Sequence, residues 1–135
     1  VDFSQCAIKR IGTSTFFNCV ALQRVVLAEG LISIGDYAFD HCYDIAEVRV
    51  PESLESVGIC VFDHNKVTEP IHNKRLFIRM PESATGVYEI PEGIERIAAR
   101  AFRFCQRLTE VKIPSSVKEI GDKAFEYTRI RQEAR

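Results

Sequence analysis

No run of about 18 apolar residues occurs in this chain, which excludes a membrane-spanning helix. An excess of one charge sign is also missing. Eighteen Lys and Arg stand against nineteen Asp and Glu, a net charge of -1, so no field favours nucleic acid or an anionic membrane. The five cysteines contain no Cys-x-x-Cys pair, and their odd number excludes a disulfide framework complete within the chain. Gly-x-Ser-x-Gly, a phosphate-cradling glycine loop and His-Glu-x-x-His are all absent, and the carboxylates scatter over solvent-facing positions. No catalytic residue, cofactor or enzymatic activity is therefore expected. The opening Val1-Asp2-Phe3-Ser4 is not a signal peptide, and without an initiator Met the chain is expected to be a fragment of a larger protein.

What the chain has is repetition. Ile34-Gly35-Asp36-Tyr37-Ala38-Phe39 returns as Ile120-Gly121-Asp122-Lys123-Ala124-Phe125, and looser copies fill most of the rest. A 23-residue step takes Ile11 to Ile34, Ile34 to Val57 and Ile97 to Ile120, and the same step relates Phe16, Phe39 and Phe62, as well as Phe102 and Phe125. Val57 and Ile97 break it, being separated by one period plus 17, which places an insertion within residues 66–86. At 135 residues and 46% hydrophobic content, one core and one domain are expected over 1–135. Its units are expected near 1–10 (partial), 11–33, 34–56, 57–96 with the insertion, 97–119 and 120–135 (partial or cap).

Within a unit, Val111 and Ile113 are two apart and point to one face of an extended strand, with Glu110 and Lys112 on the other. Pro114 stops the strand because it has no amide proton for the ladder. The apolar residues at 117, 120 and 124 then suit a helical turn folding back over it. One such unit cannot enclose a core, whereas stacked copies bury their Val, Ile and Phe against each other. Strands of successive units are expected about 4.8 Å apart in a parallel sheet. A ladder of Phe16, Phe39 and Phe62, continued by Phe102 and Phe125, should run beside it.

The unit Ile-Gly-Asp-x-Ala-Phe-x-x-Cys-x-x-Leu-x-x-Val-x-Ile-Pro, seen in full from Ile34 through Cys42 to Pro51, resembles the BspA-like class of leucine-rich repeat. The resemblance implies an α/β repeat solenoid: a leucine-rich-repeat-like right-handed coil with a short-stranded parallel sheet on one face and short helical or irregular segments on the other. It also implies a protein-binding role, often at bacterial or protist surfaces, and so an extracellular or cell-surface location, with the cytoplasm left open. The insertion, Leu76-Phe77-Ile78-Arg79-Met80-Pro81 before Gly86-Val87-Tyr88-Glu89-Ile90-Pro91, reads as a hairpin or irregular strand added to the sheet edge. Phe3-Ser4-Gln5-Cys6 imitates a repeat, but Phe16 follows Phe3 after little more than half a period, so the first unit should be shortened.

Cys19, Cys42 and Cys105 share one repeat position, where Asn65 or Thr128 substitutes, and free buried thiols are expected there. Gly12, Gly35, Gly58 and Gly121 each follow the repeat's Ile or Val, where a turn tolerant of positive φ is expected. Asp40-His41 recurs as Asp63-His64, bringing two imidazoles and two carboxylates onto adjacent turns. Asn18, Phe104 and Tyr127 hold the equivalent of the histidine, so the position varies and no metal site is expected.

The face to search for binding is the strand face, whose residues alternate with the core. One outward row should contain Val26, Arg49, Glu89 and Lys112, and the neighbouring row Arg24, Glu47, Val87 and Glu110. The inserted segment should add Phe77, Arg79 and Tyr88, the aromatic and Arg types that interfaces favour. Opposite charges meet across the strands, so a self-compensated surface is the competing expectation. The expected activity is non-enzymatic protein binding in a bacterial surface or secreted protein, with adhesion or host interaction as its setting. A host extracellular protein is the expected type of ligand, and nucleic acid and membrane insertion are not expected. A passive structural spacer is the alternative.

Overall fold

The computed structural model describes residues 7–130, in two compact units divided after Val67. The first unit contains β1 (Arg10–Ile11), β2 (Arg24–Val26), β3 (Ser33–Ile34), β4 (Glu47–Arg49) and β5 (Ser56–Val57). The second contains β6 (Ile71–His72), β7 (Leu76–Arg79), β8 (Gly86–Glu89), β9 (Arg96–Ile97), β10 (Leu108–Lys112) and β11 (Glu119–Ile120). No described residue is helical. Each unit is a stack of β-solenoid turns joined by parallel strand pairing.

A full turn carries two strands, one more than expected. In the first unit β2 pairs with β4, and β1, β3 and β5 form a separate parallel sheet in that order. The register follows the period: Arg24 faces Glu47, Val25 faces Val48, and Ile11 faces Ile34, which faces Val57. In the second unit β8 pairs with β10, with Thr109 extra in the longer strand, and β9 pairs with β11. Pro51, Pro81, Pro91 and Pro114 each open a turn, their carbonyls accepting from Leu54, Ala84, Ile94 and Val117. Gly93 sits third in one such turn at φ 98°, and Ser116, one period on, replaces it and bridges back, its Oγ accepting from Gly93 N and donating to Ile94 O.

The return segment, expected to be helical or irregular, is an arc of successive tight turns with no helix among the described residues. At residues 14–19 the amides alternate: Ser14, Phe16 and Asn18 donate to Asp36, Ala38 and Asp40 of the next turn, while Thr15, Phe17 and Cys19 donate three residues back. The arcs at 37–41 and 100–104 repeat this. A helix would direct every amide four residues back along its own chain and leave the next turn without partners. The arc keeps both sets satisfied by placing two non-glycine residues per turn in the left-handed region, four apart: Ser14 and Asn18, Tyr37 and His41, Cys60 and His64, Arg100 and Phe104, Lys123 and Tyr127.

The repeat's glycines answer a different need from the one expected. Among the described residues the positive-φ glycines are Gly30, Gly86 and Gly93, whereas Gly35, Gly58 and Gly121 lie against the preceding turn's backbone. A Cβ on Gly35 would stand 2.6 Å from Thr13 N, and one on Gly58 would be 2.6 Å from Asp36 N. The adjoining Asp is explained as well: Asp36 Oδ1 accepts from Ile59 N of the next turn at 2.9 Å.

Phe16, Phe39 and Phe62 form the expected ladder in the first unit, with centroids 5.1 Å apart at each step. In the second unit the ladder gains a rung from the insertion: Phe77 stacks on Phe102, and Phe102 on Phe125, each at 5.0 Å. The insertion forms an antiparallel hairpin of β6 and β7 around Asn73, whose Oδ1 accepts from Arg75 N and Leu76 N. β7 also pairs with β9, so that sheet runs β11-β9-β7-β6 with β7 inside it. The expected shortened unit at Phe3–Cys6 and the last residues of the expected cap, 131–135, lie outside the described residues.

Candidate functional site

On the first unit's strand face, Arg24, Glu47, Val26 and Arg49 stand beside one another as the two outward rows. Glu47 is gripped from both sides, by Arg49 Nε at 2.7 Å and Arg24 Nε at 3.1 Å. The hydrogen bond from Arg49, with the positive charge of both guanidiniums, holds its carboxyl below the usual range. These side chains remain substantially exposed, so the pairing orders the surface more than it stabilises the fold.

The second unit repeats the arrangement with different residues. Val87 faces Glu110 and Glu89 faces Lys112, whose Nζ lies 3.6 Å from Glu89 Oε1. Val87 is 56% exposed, an uncovered apolar residue beside this charge pair. Where β8 and β10 end, Glu89, Ile90, Pro91, Glu92, Lys112, Ile113 and Pro114 line an open depression of about 310 Å³.

Three residues expected on the binding face are placed elsewhere. Phe77 is fully buried, because β7 lies inside its sheet and carries the ring onto Phe102. Arg79 is also buried, its guanidinium donating to Ala101 O at 3.0 Å and reaching Glu82 at 3.3 Å. It therefore ties the insertion to the next turn. Tyr88 tilts its ring toward Phe77 and Phe102, and this partial burial raises its phenol pKa.

At the shared repeat position Cys42 and Cys105 are free and buried as expected, whereas Cys19 is free but partly exposed; Cys60, at a different position of its arc, is buried as well. Cys42 Sγ donates to Phe16 O at 3.0 Å, and Cys105 Sγ approaches Met80 O at 3.6 Å, so each supplies a donor to the preceding turn. Asn65 and Thr128 instead donate to the carbonyls of Phe62 and Phe125 in their own turns. Burial pushes the Cys42 thiol up, against a smaller opposing effect of the hydrogen bond with the Cys19 backbone.

Two surface groups lie on the arcs. In the first unit Asp40 sits between two imidazoles, His64 Nδ1 at 2.9 Å and His41 Nδ1 at 3.0 Å, with the rings stacked 4.2 Å apart. In the second unit Phe104 and Tyr127 stack at 4.9 Å, and the Arg103 guanidinium lies 4.7 Å from the Phe104 centroid while pairing with Glu126. In the sequence Phe104 and Tyr127 stand out only as equivalents of the histidines. Their 23-residue spacing is the signal that they meet.

Comparison with curated proteins gives no match. Among solved structures, a leucine-rich repeat protein from Bacteroides ovatus ATCC 8483 is 24% identical, with a TM-score of 0.54 over 88% of this chain and 38% of its own. A T. pallidum leucine rich repeat protein is 28% identical, with a TM-score of 0.49 over 88% of this chain and 48% of its own. A leucine rich cell surface protein from Faecalibacterium prausnitzii A2-165 is 24% identical, with a TM-score of 0.47 over 86% of this chain and 42% of its own. The chain thus spans less than half the length of each of these proteins. The model of the BspA type leucine-rich repeat region matches six copies, over residues 1–84 and 82–133. With nearly every residue inside those repeats, the chain belongs to the BspA type leucine-rich repeat family.

Proposed function

We propose that this chain is a non-enzymatic protein-recognition module of a bacterial cell-surface or secreted protein, engaging an extracellular protein, such as one from a host, through its strand faces. The observation that supports this reading most directly is Val87, exposed between Glu110 and the Glu89–Lys112 pair, beside the depression ending at Pro91 and Pro114. An uncovered apolar residue rimmed by charges on parallel strands suits a small contact core with a polar rim. Arg24, Val26, Glu47 and Arg49 offer a second patch of the same make-up on the first unit. The surface location is carried over from the repeat family.

The test is binding of the immobilised chain to a panel of extracellular-matrix and serum proteins, beside an Arg49→Glu/Lys112→Glu variant. Saturable binding that the variant loses is the expected result. Binding unchanged by both reversals would remove the strand faces from the proposal. A second reading, a passive spacer, draws support from the Arg24–Glu47–Arg49 cluster, whose charges already satisfy one another. Silence across the panel from the folded chain would favour it.

A further inference from the structure

We infer that Asp40, His41 and His64 form a binding site for a borderline divalent transition ion of the Zn²⁺, Ni²⁺ or Cu²⁺ class. The sequence shows two separate Asp-His pairs on adjacent turns. The fold instead turns one carboxylate toward both imidazoles: Asp40 Oδ1 is 2.9 Å from His64 Nδ1, and Oδ2 is 3.0 Å from His41 Nδ1. All three potential ligand atoms fall within 4.8 Å of one another. A tetrahedral ion with bonds of about 2.1 Å holds its ligands about 3.4 Å apart, so the two carboxylate–imidazole separations need widen by only a few tenths of an ångström. Two imidazoles and a carboxylate are a donor set that suits these ions and not Ca²⁺ or Mg²⁺, which prefer oxygen.

A second observation falls on the same spot. His41 Nδ1 is buried and makes no hydrogen bond, although it lies within 3.0 Å of Asp40 Oδ2. A buried imidazole nitrogen facing a carboxylate without a hydrogen bond is an unmet polar group, and a shared cation would satisfy it. The site is also positioned in advance. Both histidines sit in the left-handed region, at φ 60° and 59°, and His41 N is bonded to Asp63 O of the next turn. The rings of Phe17 and Tyr43 flank His41 at 5.4 and 5.5 Å, and Asp40 is only 5% exposed. His41 and His64 are themselves partly exposed, which leaves further coordination positions open to solvent or to a donor from a bound protein.

The experiment is calorimetric titration of the reduced chain with Zn²⁺, together with Co²⁺ absorption and Cu²⁺ electron paramagnetic resonance on the unaltered chain. The substitutions are His41→Asn and His64→Asn, which the fold accommodates because Asn18 holds the equivalent place at φ 61°. One ion per chain is expected, with nitrogen hyperfine structure from two imidazoles and no sulfur-to-cobalt charge-transfer band. Either substitution should weaken Zn²⁺ binding beyond the roughly 10- to 100-fold typical of changes one shell further out. Absence of saturable uptake, equal affinity in the folded variants, or a charge-transfer band assigning the ion to thiolates would each overturn the proposal. The resonance signal needs no substitution, so it decides the question even if a variant fails to fold.

Discussion

The rings of Phe39 and Phe62 lie 5.1 Å apart and within 11° of parallel, although they stand one full repeat apart in sequence. Phe39 is fully buried and has a ring on each side, so removing it opens a cavity that touches three turns. Phe39→Ala should lower stability by roughly 3–5 kcal/mol. Phe16→Ala, at a partly exposed rung of the same ladder, should lower it by distinctly less. Denaturant unfolding of both variants checks this, and equal losses would mean that the ladder does not carry the packing.

Gly35 and Gly12 occupy the same repeat position but face different surroundings. A Cβ on Gly35 meets the backbone of Gly12 and Thr13 at 2.6–3.0 Å, whereas among the described residues one on Gly12 meets only Thr15 Oγ1, at 3.4 Å. Backbone cannot rotate away as a side chain can. Gly35→Ala should therefore cost about 1–3 kcal/mol, as overpacking does, and Gly12→Ala should be near neutral. Thermal or denaturant midpoints measured side by side provide the check.

Glu47 should titrate below its ordinary value of 4.5, chiefly because Arg49 donates a hydrogen bond to its carboxylate. Arg49→Gln should move the carboxyl resonance midpoint upward more than Arg24→Gln, as followed by NMR. Because the folded pKa is the lower one, the associated stabilisation is present above the ordinary value. It fades as pH falls below that value and is gone once pH has passed through the folded pKa. The carboxylate remains substantially exposed, so salt should shrink the shift.

Thiol reactivity should follow burial. Cys42 is buried and its thiol pKa is raised, so its thiolate is both scarce and shielded at neutral pH. Alkylation of the native chain mapped by mass spectrometry should label Cys19, the partly exposed one of the four described cysteines, before Cys42, Cys60 and Cys105. Labelling of Cys42 at the rate of Cys19 would show that the arc opens locally.

How much was legible in the sequence can be seen position by position. The 23-residue period placed Arg24 opposite Glu47, Val26 opposite Arg49 and Phe39 between Phe16 and Phe62, because in a stacked repeat equivalent residues are neighbours by construction. The insertion hid Phe77. Counted back from Phe102 it stands two positions beyond the 23-residue step, so it fell out of phase and read as a surface aromatic although it is a rung of the ladder. The Asp40 site was half legible: the recurrence of Asp-His was visible, and the sharing of one carboxylate by both rings was not.

The sequence by itself determined the repeat, its register, the outward rows of the repeat strands and the family, but not the placement of Phe77, Arg79 and Tyr88. Tertiary structure alone decided what joins those strands. Apolar spacing of three and four fits a helix and a run of tight turns equally well, and the choice lies in where the backbone amides find partners. Here Phe16 donates to Ala38 and Phe39 to Val61, across turns instead of along a helix. That arc carries Asp40 and both histidines, so the geometry that brings them together rests on contacts between residues far apart in the chain.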